Sequence, residues 1–236
     1  MDKEIRDKLK SVSVATLATA LFKRGLRQQV IQGVHPIAHK GDNMVGPAFT
    51  LRYMPAREDR NQLTEFRNPE HPQRVAIETC PEGHVLVMDS RKDARAASAG
   101  DILLTRLMKR GAAGAVTDGG FRDADAIGKL DMPVYHQRPS SPTNLTLHEA
   151  IELNVPIGCG DAPVFPGDII VGDADCVIVI PAHLAGEVAE EAVEMSAYED
   201  FVIERVREGE GIIGLYPCTR DEHRVAFEKW RREKGR

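Results

Sequence analysis

The sequence predicts an α/β fold whose central sheet is partly parallel. Short buried strands are predicted at residues 84–89, 113–117 and 133–136, and helical segments at 101–110 and 123–130 alternate with them. Strands and helices that alternate through short links form right-handed crossovers between parallel strands.

The composition is that of a globular protein with an acidic balance. The chain has 236 residues, of which 42% are hydrophobic and 28% are charged, and its formal net charge is −5. The acidic balance argues against broad nucleic-acid binding, which requires a basic surface. No apolar run approaches the roughly 18–20 residues that span a bilayer, and the charged residues 1–10 are unlike a secretory signal. We therefore expect a cytoplasmic protein with no membrane or nucleic-acid partner.

Three segments precede the first of these strands. Ser11 or Ser13 can cap a helix whose apolar residues share one face and which ends near Gly25. A strand is predicted at residues 45–53. Residues 54–74 contain three prolines and no strong apolar period, so we expect a loop or a partly helical insertion.

The later part of the chain has strands that follow one another without helices between them. An antiparallel or orthogonal layer is therefore expected from the strands at residues 155–159, 169–171 and 177–180. A helix is predicted at residues 182–207. The sequence thus predicts one α/β domain over residues 1–217, followed by a charged helical tail at 218–236.

Two loops are candidates for a functional site, because ligands bind beyond the carboxyl ends of parallel strands. Gly100 and Asp101 start a helix, and the unpaired N–H groups of Asp101, Ile102 and Leu103 can bind a carboxylate or phosphate. The other loop, residues 118–123, has two glycines followed by an arginine and an aspartate. That pair offers an anion clamp beside an oxygen ligand for a metal.

The same side chains also have purely structural interpretations. Arg122 and Asp123 can form a loop salt bridge or a helix cap. Asp101 can cap the helix that it starts. Asp118 can end its strand in an Asx-type turn.

Other chemical motifs are absent or fail in their context. The four cysteines contain no C-x-x-C pair and are expected to be small core residues. Pro36 lies between His35 and His39 and disrupts a helical metal pair. Residues 209–214 match G-x-G-x-x-G but follow a helix, so they do not form a dinucleotide site. No G-x-S-x-G elbow is present.

The segment from Gly100 to Asp123 resembles the characteristic motif of the RraA-like superfamily, with supporting matches at residues 45–50 and 166–181. This family contains metal-dependent 4-hydroxy-4-methyl-2-oxoglutarate aldolases and the RNase E activity regulator. The resemblance implies an α/β/β swivelling-type domain that assembles into homotrimers or homohexamers.

The resemblance also implies roles for individual residues. Asp123 would hold Mg²⁺ or Mn²⁺, largely through waters, and Arg122 would contact a 2-oxo acid and its enolate. The backbone of Gly100, Asp101, Ile102 and Leu103 would bind the substrate carboxylate, and Asp101 would also order water.

The sequence departs from the family pattern at several positions. Aldolase members tend to have an acidic residue where Ala126 stands, so Glu199 or Glu204 of a neighbouring subunit is a candidate to complete the metal shell. Cys176 replaces a usual glycine. The insertion and its approach include five arginines that form either a lid over an anionic substrate or a solvated loop: Arg52, Arg57, Arg60, Arg67 and Arg74.

These features predict a class II-type lyase that cleaves a 4-hydroxy-2-oxo acid to pyruvate and a second carbonyl compound, with oxaloacetate decarboxylation as a side activity. The alternative is a non-catalytic regulator that binds and inhibits a ribonuclease. In the tail, Phe227 and Trp230 share one helical face. The tail is expected either to fold on its own subunit or to grip the next one.

Overall fold

The structure, a computed structural model, describes residues 1–235. Arg236, the last residue of the predicted tail, lies outside the described residues. The helices are α1 (Lys3–Lys10), α2 (Val14–Lys23), α3 (Pro72–Thr79), α4 (Asp101–Lys109), α5 (Ala124–Gly128), α6 (Ala185–Arg207) and α7 (Asp221–Lys234). Short 3₁₀ turns lie at Leu63–Arg67, Asn144–Thr146 and Ala182–Leu184. No helix within residues 1–235 has the length and apolarity needed to cross a bilayer.

The strands are short except for the third. They are β1 (Val30–Ile31), β2 (His35–Pro36), β3 (Met44–Pro55), β4 (Val85–Asp89), β5 (Ala97–Ala99), β6 (Gly114–Thr117), β7 (Gly120–Phe121), β8 (Val134–His136), β9 (Arg138–Pro139), β10 (His148–Leu153), β11 (Ile157–Cys159), β12 (Ala162–Val164), β13 (Ile169–Gly172) and β14 (Val177–Ile180).

The central sheet has the mixed topology that the sequence predicts. Strands β3, β4, β6 and β8 are parallel neighbours in that order. Strand β13 pairs antiparallel with β3, and β14 pairs antiparallel with β13, which confirms the predicted antiparallel arrangement of residues 169–171 and 177–180. The third predicted strand, at residues 155–159, is not part of this layer, because β11 pairs with β12 in a separate two-stranded sheet. Both β13 and β14 are buried along their whole length, which accounts for their uninterrupted apolar sequences.

Two groups of helices cover this sheet. Helices α3 and α4 pack on the parallel strands through Ile77 and Leu104, which lie in one apolar cluster with Leu86. Helices α1, α2 and α6 pack on β13 and β14, with Leu17 and Val188 in another apolar cluster. The packing of α3 beside α4 places residues 72–79 near the start of α4, where the candidate site lies.

The terminal and inserted segments refine the sequence predictions. Helix α2 begins after Ser13, whose hydroxyl accepts from the Thr16 N–H, as predicted. Helix α1 precedes it and was not predicted. The 54–74 insertion contains a 3₁₀ turn and the start of α3, so the partly helical interpretation is confirmed. Helix α7 packs on α6 of the same chain, where Phe227 meets Phe201.

A second sheet, separate from the central one, has three short parallel strands in the order β5-β7-β9. Its strands are two or three residues long, too short to show a periodic pattern in the sequence. This sheet brings the two candidate loops together, because β5 runs into Gly100 and β7 runs into Arg122.

Candidate active site

The two predicted loops are adjacent because they follow neighbouring parallel strands. Ala97 pairs with Gly120 and Ala99 with Phe121 across β5 and β7. The Arg122 N–H then donates to the Ala99 carbonyl oxygen at 3.1 Å. Residues that leave the carboxyl ends of adjacent parallel strands emerge side by side, so Gly100 and Arg122 lie in contact.

Gly100 allows this close approach. A Cβ atom at this position would lie 2.8 Å from Arg122 Cγ and 2.9 Å from the Asp123 Oδ2 atom. The backbone φ of Gly100 is −131°, which any residue adopts, so the requirement for glycine here is one of space. The contact holds Arg122 and Asp123 against the start of α4.

Asp123 has a left-handed backbone, with φ 59° and ψ 38°. Aspartate and asparagine tolerate this conformation better than most residues, and strained backbones are common at functional sites. Asp123 stands at the N-cap position of α5, but its side chain makes no capping hydrogen bond. Asp123 thus occupies the predicted cap position without the side-chain hydrogen bond of a cap, and its carboxylate faces the site instead.

The predicted salt bridge between Arg122 and Asp123 is present and open to solvent. Arg122 Nε lies 3.3 Å from Asp123 Oδ2, and the side chains are 50% and 40% exposed. Exposed pairs of this kind contribute little to stability, typically about 0–1 kcal/mol. Both groups therefore remain available to a ligand.

The start of α4 differs in one respect from the sequence prediction. Gly100 occupies the N-cap position, and Asp101 is the first helical residue, so the prediction that Asp101 caps the helix is wrong. Because Gly100 is the N-cap residue, the Asp101 carboxylate belongs to the first residue of the helix and not to its cap. There the Asp101 Oδ1 atom accepts from the Ile102 N–H at 2.7 Å. Of the three predicted anion-binding N–H groups, those of Asp101 and Leu103 remain.

A cavity of about 420 Å³ unites these groups, and we call it the site cavity. All six predicted site residues line it: Gly100, Asp101, Ile102, Leu103, Arg122 and Asp123. Its other lining residues were not predicted as site residues and are Phe66, Gln73, Arg74, Ala97, Ala99, Thr143 and Asn144. Arg74 was among the five arginines of the predicted insertion.

The remaining arginines of that set behave differently from Arg74. Within residues 1–235 none of them lines the site cavity. Three form ion pairs with acidic neighbours, namely Arg52 with Glu152, Arg57 with Asp59 and Arg60 with Glu149. Phe66 and Arg74 of this segment line the site cavity, and the lid stays a prediction, whereas these three arginines match the solvated-loop interpretation.

Asp118 anchors the loop that carries Arg122 and Asp123. Its carboxylate is buried and accepts from the N–H groups of Ser90 at 2.6 Å, Lys92 at 3.0 Å and Gly160 at 3.1 Å. It joins three loops, so the predicted Asx-type turn within its own loop is wrong. Burial raises the pKa of Asp118 to about 6, although the three N–H donors favour the ionised form.

Hydroxyl groups fill the space beside this anchor. The Ser98 hydroxyl lies 2.7 Å from that of Ser90 and 2.7 Å from that of Thr117. A Cβ on Gly119 would lie 2.6 Å from the Ser90 Cβ, so the first glycine of the loop packs directly against this cluster. These contacts hold residues 118 and 119, the start of the loop that carries Arg122 and Asp123, in place.

The donor set at the site cavity fits a largely hydrated divalent cation. Within residues 1–235 no group of three or more His, Cys, Asp or Glu side chains could enclose a metal ion. Asp101 and Asp123 are the two carboxylates of the cavity lining. Mg²⁺ is typically bound by one or two carboxylates while it keeps several waters, and Mn²⁺ accepts similar oxygen ligands.

Asp125, next to Ala126, and the two predicted candidates Glu199 and Glu204 lie elsewhere in this chain. Asp125 pairs with Lys129, and its side chain is 90% exposed. Glu199 accepts from the Thr16 hydroxyl at 2.8 Å. Glu204 accepts from the Trp230 indole at 2.7 Å. Within one chain, none of these side chains lines the site cavity.

An arginine, two carboxylates and the amino end of a helix thus meet at the ends of parallel strands. This arrangement gives an α/β protein a candidate site for small anions. The family model of the RraA-like proteins, described as Aldolase/RraA, matches residues 14–179. The chain belongs to the RraA-like family.

Two relatives show how similar the chain is to named members. A Halalkalibacterium halodurans protein, provisionally named a 4-hydroxy-4-methyl-2-oxoglutarate aldolase, is 33% identical over 162 residues, which are 69% of this chain and 71% of that protein. An Ectopseudomonas mendocina protein of the same provisional name is 36% identical over 160 residues, 66% of this chain and 90% of that protein.

A solved structure has the same fold. The crystal structure of Streptomyces coelicolor RraAS2 is described as an unusual member of the RNase ES inhibitor RraA protein family. It matches with a TM-score of 0.75 and 28% identity over 85% of this chain and 96% of that chain. The α/β fold with a partly parallel sheet and the predicted family are both confirmed.

Proposed function

We propose that the protein is a divalent-metal-dependent aldolase that cleaves a 4-hydroxy-2-oxo acid to pyruvate and a second carbonyl compound. The observation that carries this proposal is the meeting of Arg122, Asp123 and the amino end of α4 in one cavity. The aldolase names of the two bacterial relatives support the same chemistry.

The residues of the site cavity divide into binding and proton-transfer roles. The free N–H groups at the start of α4 bind the 1-carboxylate, and the Arg122 guanidinium binds the 2-oxo oxygen. Asp101 holds a water that accepts the 4-hydroxyl proton. As the bond between C3 and C4 breaks, its electron pair forms the C2–C3 double bond of the enolate, and negative charge develops on the 2-oxo oxygen, where Arg122 supplies fixed positive charge. The water held by Asp101 returns the proton to C3, which gives pyruvate.

Asp123 would hold Mg²⁺ or Mn²⁺ through one carboxylate and several waters. The divalent cation, when bound, supplies positive charge that stabilises the negative charge developing on the substrate. Within residues 1–235 no lysine lines the site cavity, so a Schiff-base mechanism has no candidate nucleophile there. Oxaloacetate decarboxylation places its charge on the same oxygen and is the expected side activity.

The assay is pyruvate release from 4-hydroxy-4-methyl-2-oxoglutarate, followed through lactate dehydrogenase and NADH. Release in the presence of Mg²⁺ that stops with a chelator supports the proposal. Release that continues with chelator, or a lysine adduct trapped by borohydride with substrate, contradicts it.

A second candidate function is that of a ribonuclease regulator. The observation that favours it is the likeness to RraAS2 over most of both chains. Inhibition of an RNase E-type enzyme by the protein, together with no pyruvate release from any 4-hydroxy-2-oxo acid, would favour this alternative over the aldolase.

We also propose a homotrimer or homohexamer. The site cavity contains two carboxylates from its own chain, and a neighbouring subunit could add a further acidic residue. In this chain Glu199 and Glu204 already bond to Thr16 and Trp230, so either would have to exchange that partner in the assembly. Light scattering that gives three or six chain masses supports the proposal, and a monomer mass contradicts it.

A further inference from the structure

One wall of the site cavity comes from α3 and the segment before it. Arg74 lines this wall, and its guanidinium carbon lies 4.9 Å from the ring centroid of Phe66. The Nε atom of Arg74 is buried and has no hydrogen-bond partner. Within residues 1–235 no carboxylate forms an ion pair with Arg74, in contrast to Arg57 and Arg60 of the same segment.

The neighbouring side chain on α3, Gln73, also has a buried polar atom without a hydrogen-bond partner. Gln73 is 3% exposed and donates from Nε2 to the Ser98 carbonyl oxygen at 2.5 Å. Its Oε1 atom is buried without a partner. Buried polar atoms are nearly always hydrogen-bonded, so two orphan atoms on adjacent residues of one cavity wall indicate polar groups that a ligand and its waters supply.

The charges of the cavity lining lead to the same conclusion. Arg74 and Arg122 are positive, and Asp101 and Asp123 are negative, so these side chains sum to zero. A bound divalent cation would raise the sum to +2. A substrate with one carboxylate would leave a positive charge unbalanced, whereas two carboxylates would neutralise the cavity. Without Arg74 the balance would favour a single carboxylate.

We propose that Arg74 determines specificity by binding the carboxylate at the far end of a dicarboxylic 2-oxo acid. This inference rests on the proposed function, because Arg122 and the start of α4 are taken to bind the 1-carboxylate and 2-oxo group. The contact between the Arg74 guanidinium and the Phe66 ring positions the guanidinium, whose planar set of donors matches a carboxylate. Gln73 anchors this wall to β5 through the Ser98 carbonyl oxygen.

The test compares two uncleavable ligands of equal chain length. 2-Oxoglutarate ends in a second carboxylate, whereas 2-oxopentanoate ends in a methyl group. Isothermal titration calorimetry with Mg²⁺ gives both dissociation constants for the wild type and for Arg74→Gln. The wild type should bind 2-oxoglutarate about 10- to 100-fold more tightly, as expected for one charge-assisted contact. Arg74→Gln should lose this preference and keep its affinity for 2-oxopentanoate.

The matched control is Arg67→Gln, which removes an exposed arginine of the same segment that does not line the site cavity. It should keep the wild-type preference, and thermal unfolding should show that both variants are folded. Arg74→Lys should recover part of the preference because the charge returns without the planar donors.

Three results would overturn the inference. They are equal affinity of the wild type for both ligands, equal losses for both ligands in Arg74→Gln, or no measurable binding of either ligand. Because neither ligand can be cleaved, the experiment is independent of aldolase turnover. A preference that depends on Arg74 in a protein that releases no pyruvate would refute the proposed function and leave the role of Arg74 intact.

Discussion

Replacing Gly100 by alanine perturbs the contact that joins the two loops of the site. The new Cβ would lie 2.8 Å from Arg122 Cγ and 2.9 Å from Asp123 Oδ2, closer than real Cβ contacts. Arg122 and Asp123 must therefore move away by several tenths of an ångström or more. Because the added methyl group crowds side chains that are half exposed, they can move without unfolding the loop.

Two opposing effects set the stability of this variant. Overpacking typically costs about 1–3 kcal/mol. At an allowed φ of −131°, alanine in place of glycine gives back about 0.4–1 kcal/mol by restricting the unfolded chain. The net loss in the free energy of unfolding is thus at most about 2.6 kcal/mol, so the variant should remain folded.

The effect on turnover should be larger than the effect on stability. A displacement of about 1 Å at a catalytic group costs on the order of 100-fold in rate, or about 2.7 kcal/mol of transition-state stabilisation. The assay is kcat/KM for pyruvate release, with thermal unfolding measured in parallel. Gly158→Ala is the control, because no atom lies within 4 Å of the Cβ position at Gly158. Wild-type kcat/KM in a folded Gly100→Ala variant would refute the reasoning.

Three further predictions concern the arginine, the buried anchor and the assembly. Arg122→Lys should lose about 10- to 100-fold in kcat/KM, because a point charge cannot replace the planar donors, and near-normal activity would make Arg122 structural. Asp118 should titrate near pH 6 in carboxyl ¹³C NMR. Its raised pKa means that its contribution to the free energy of unfolding falls by on the order of 3 kcal/mol as pH rises from about 4 to about 6; a midpoint below pH 4 contradicts this. Deleting residues 219–236 should lower the melting temperature, because Phe201 loses its packing on Phe227, and should leave the number of subunits unchanged; fewer subunits would show that the tail holds the assembly together.

The main strands of the central sheet could be predicted because each is an apolar run of at least four residues, namely β3, β4, β6, β13 and β14. Strands β4 and β13 are four or five residues of mostly β-branched or apolar side chains, as buried strands require. The three-stranded sheet β5-β7-β9 could not be predicted in this way. Its strands are too short to show an alternation of apolar and polar residues in the sequence. They pair because the surrounding fold brings the three segments together.

The site could be predicted only where its residues have local signals. A helix start at Gly100 and a double glycine before Arg122 both mark places where backbone and ligand approach closely. Gln73 and Asn144 have no such signal, since they reach the cavity through the packing of α3 and of the 3₁₀ turn at Asn144–Thr146. Asp118 was misread because its partners lie 26 to 42 residues away along the chain.

The most direct test of the central claim is pyruvate release by the wild type and by Asp123→Asn, each with Mg²⁺ and with excess chelator. Asparagine tolerates the left-handed backbone at this position, so the variant removes the negative charge and should keep the fold. The account predicts wild-type release that stops with chelator and returns with Mg²⁺ or Mn²⁺, and a loss of at least about 100-fold in Asp123→Asn. Wild-type release that persists with chelator, or full Mg²⁺-dependent release by Asp123→Asn, would contradict it.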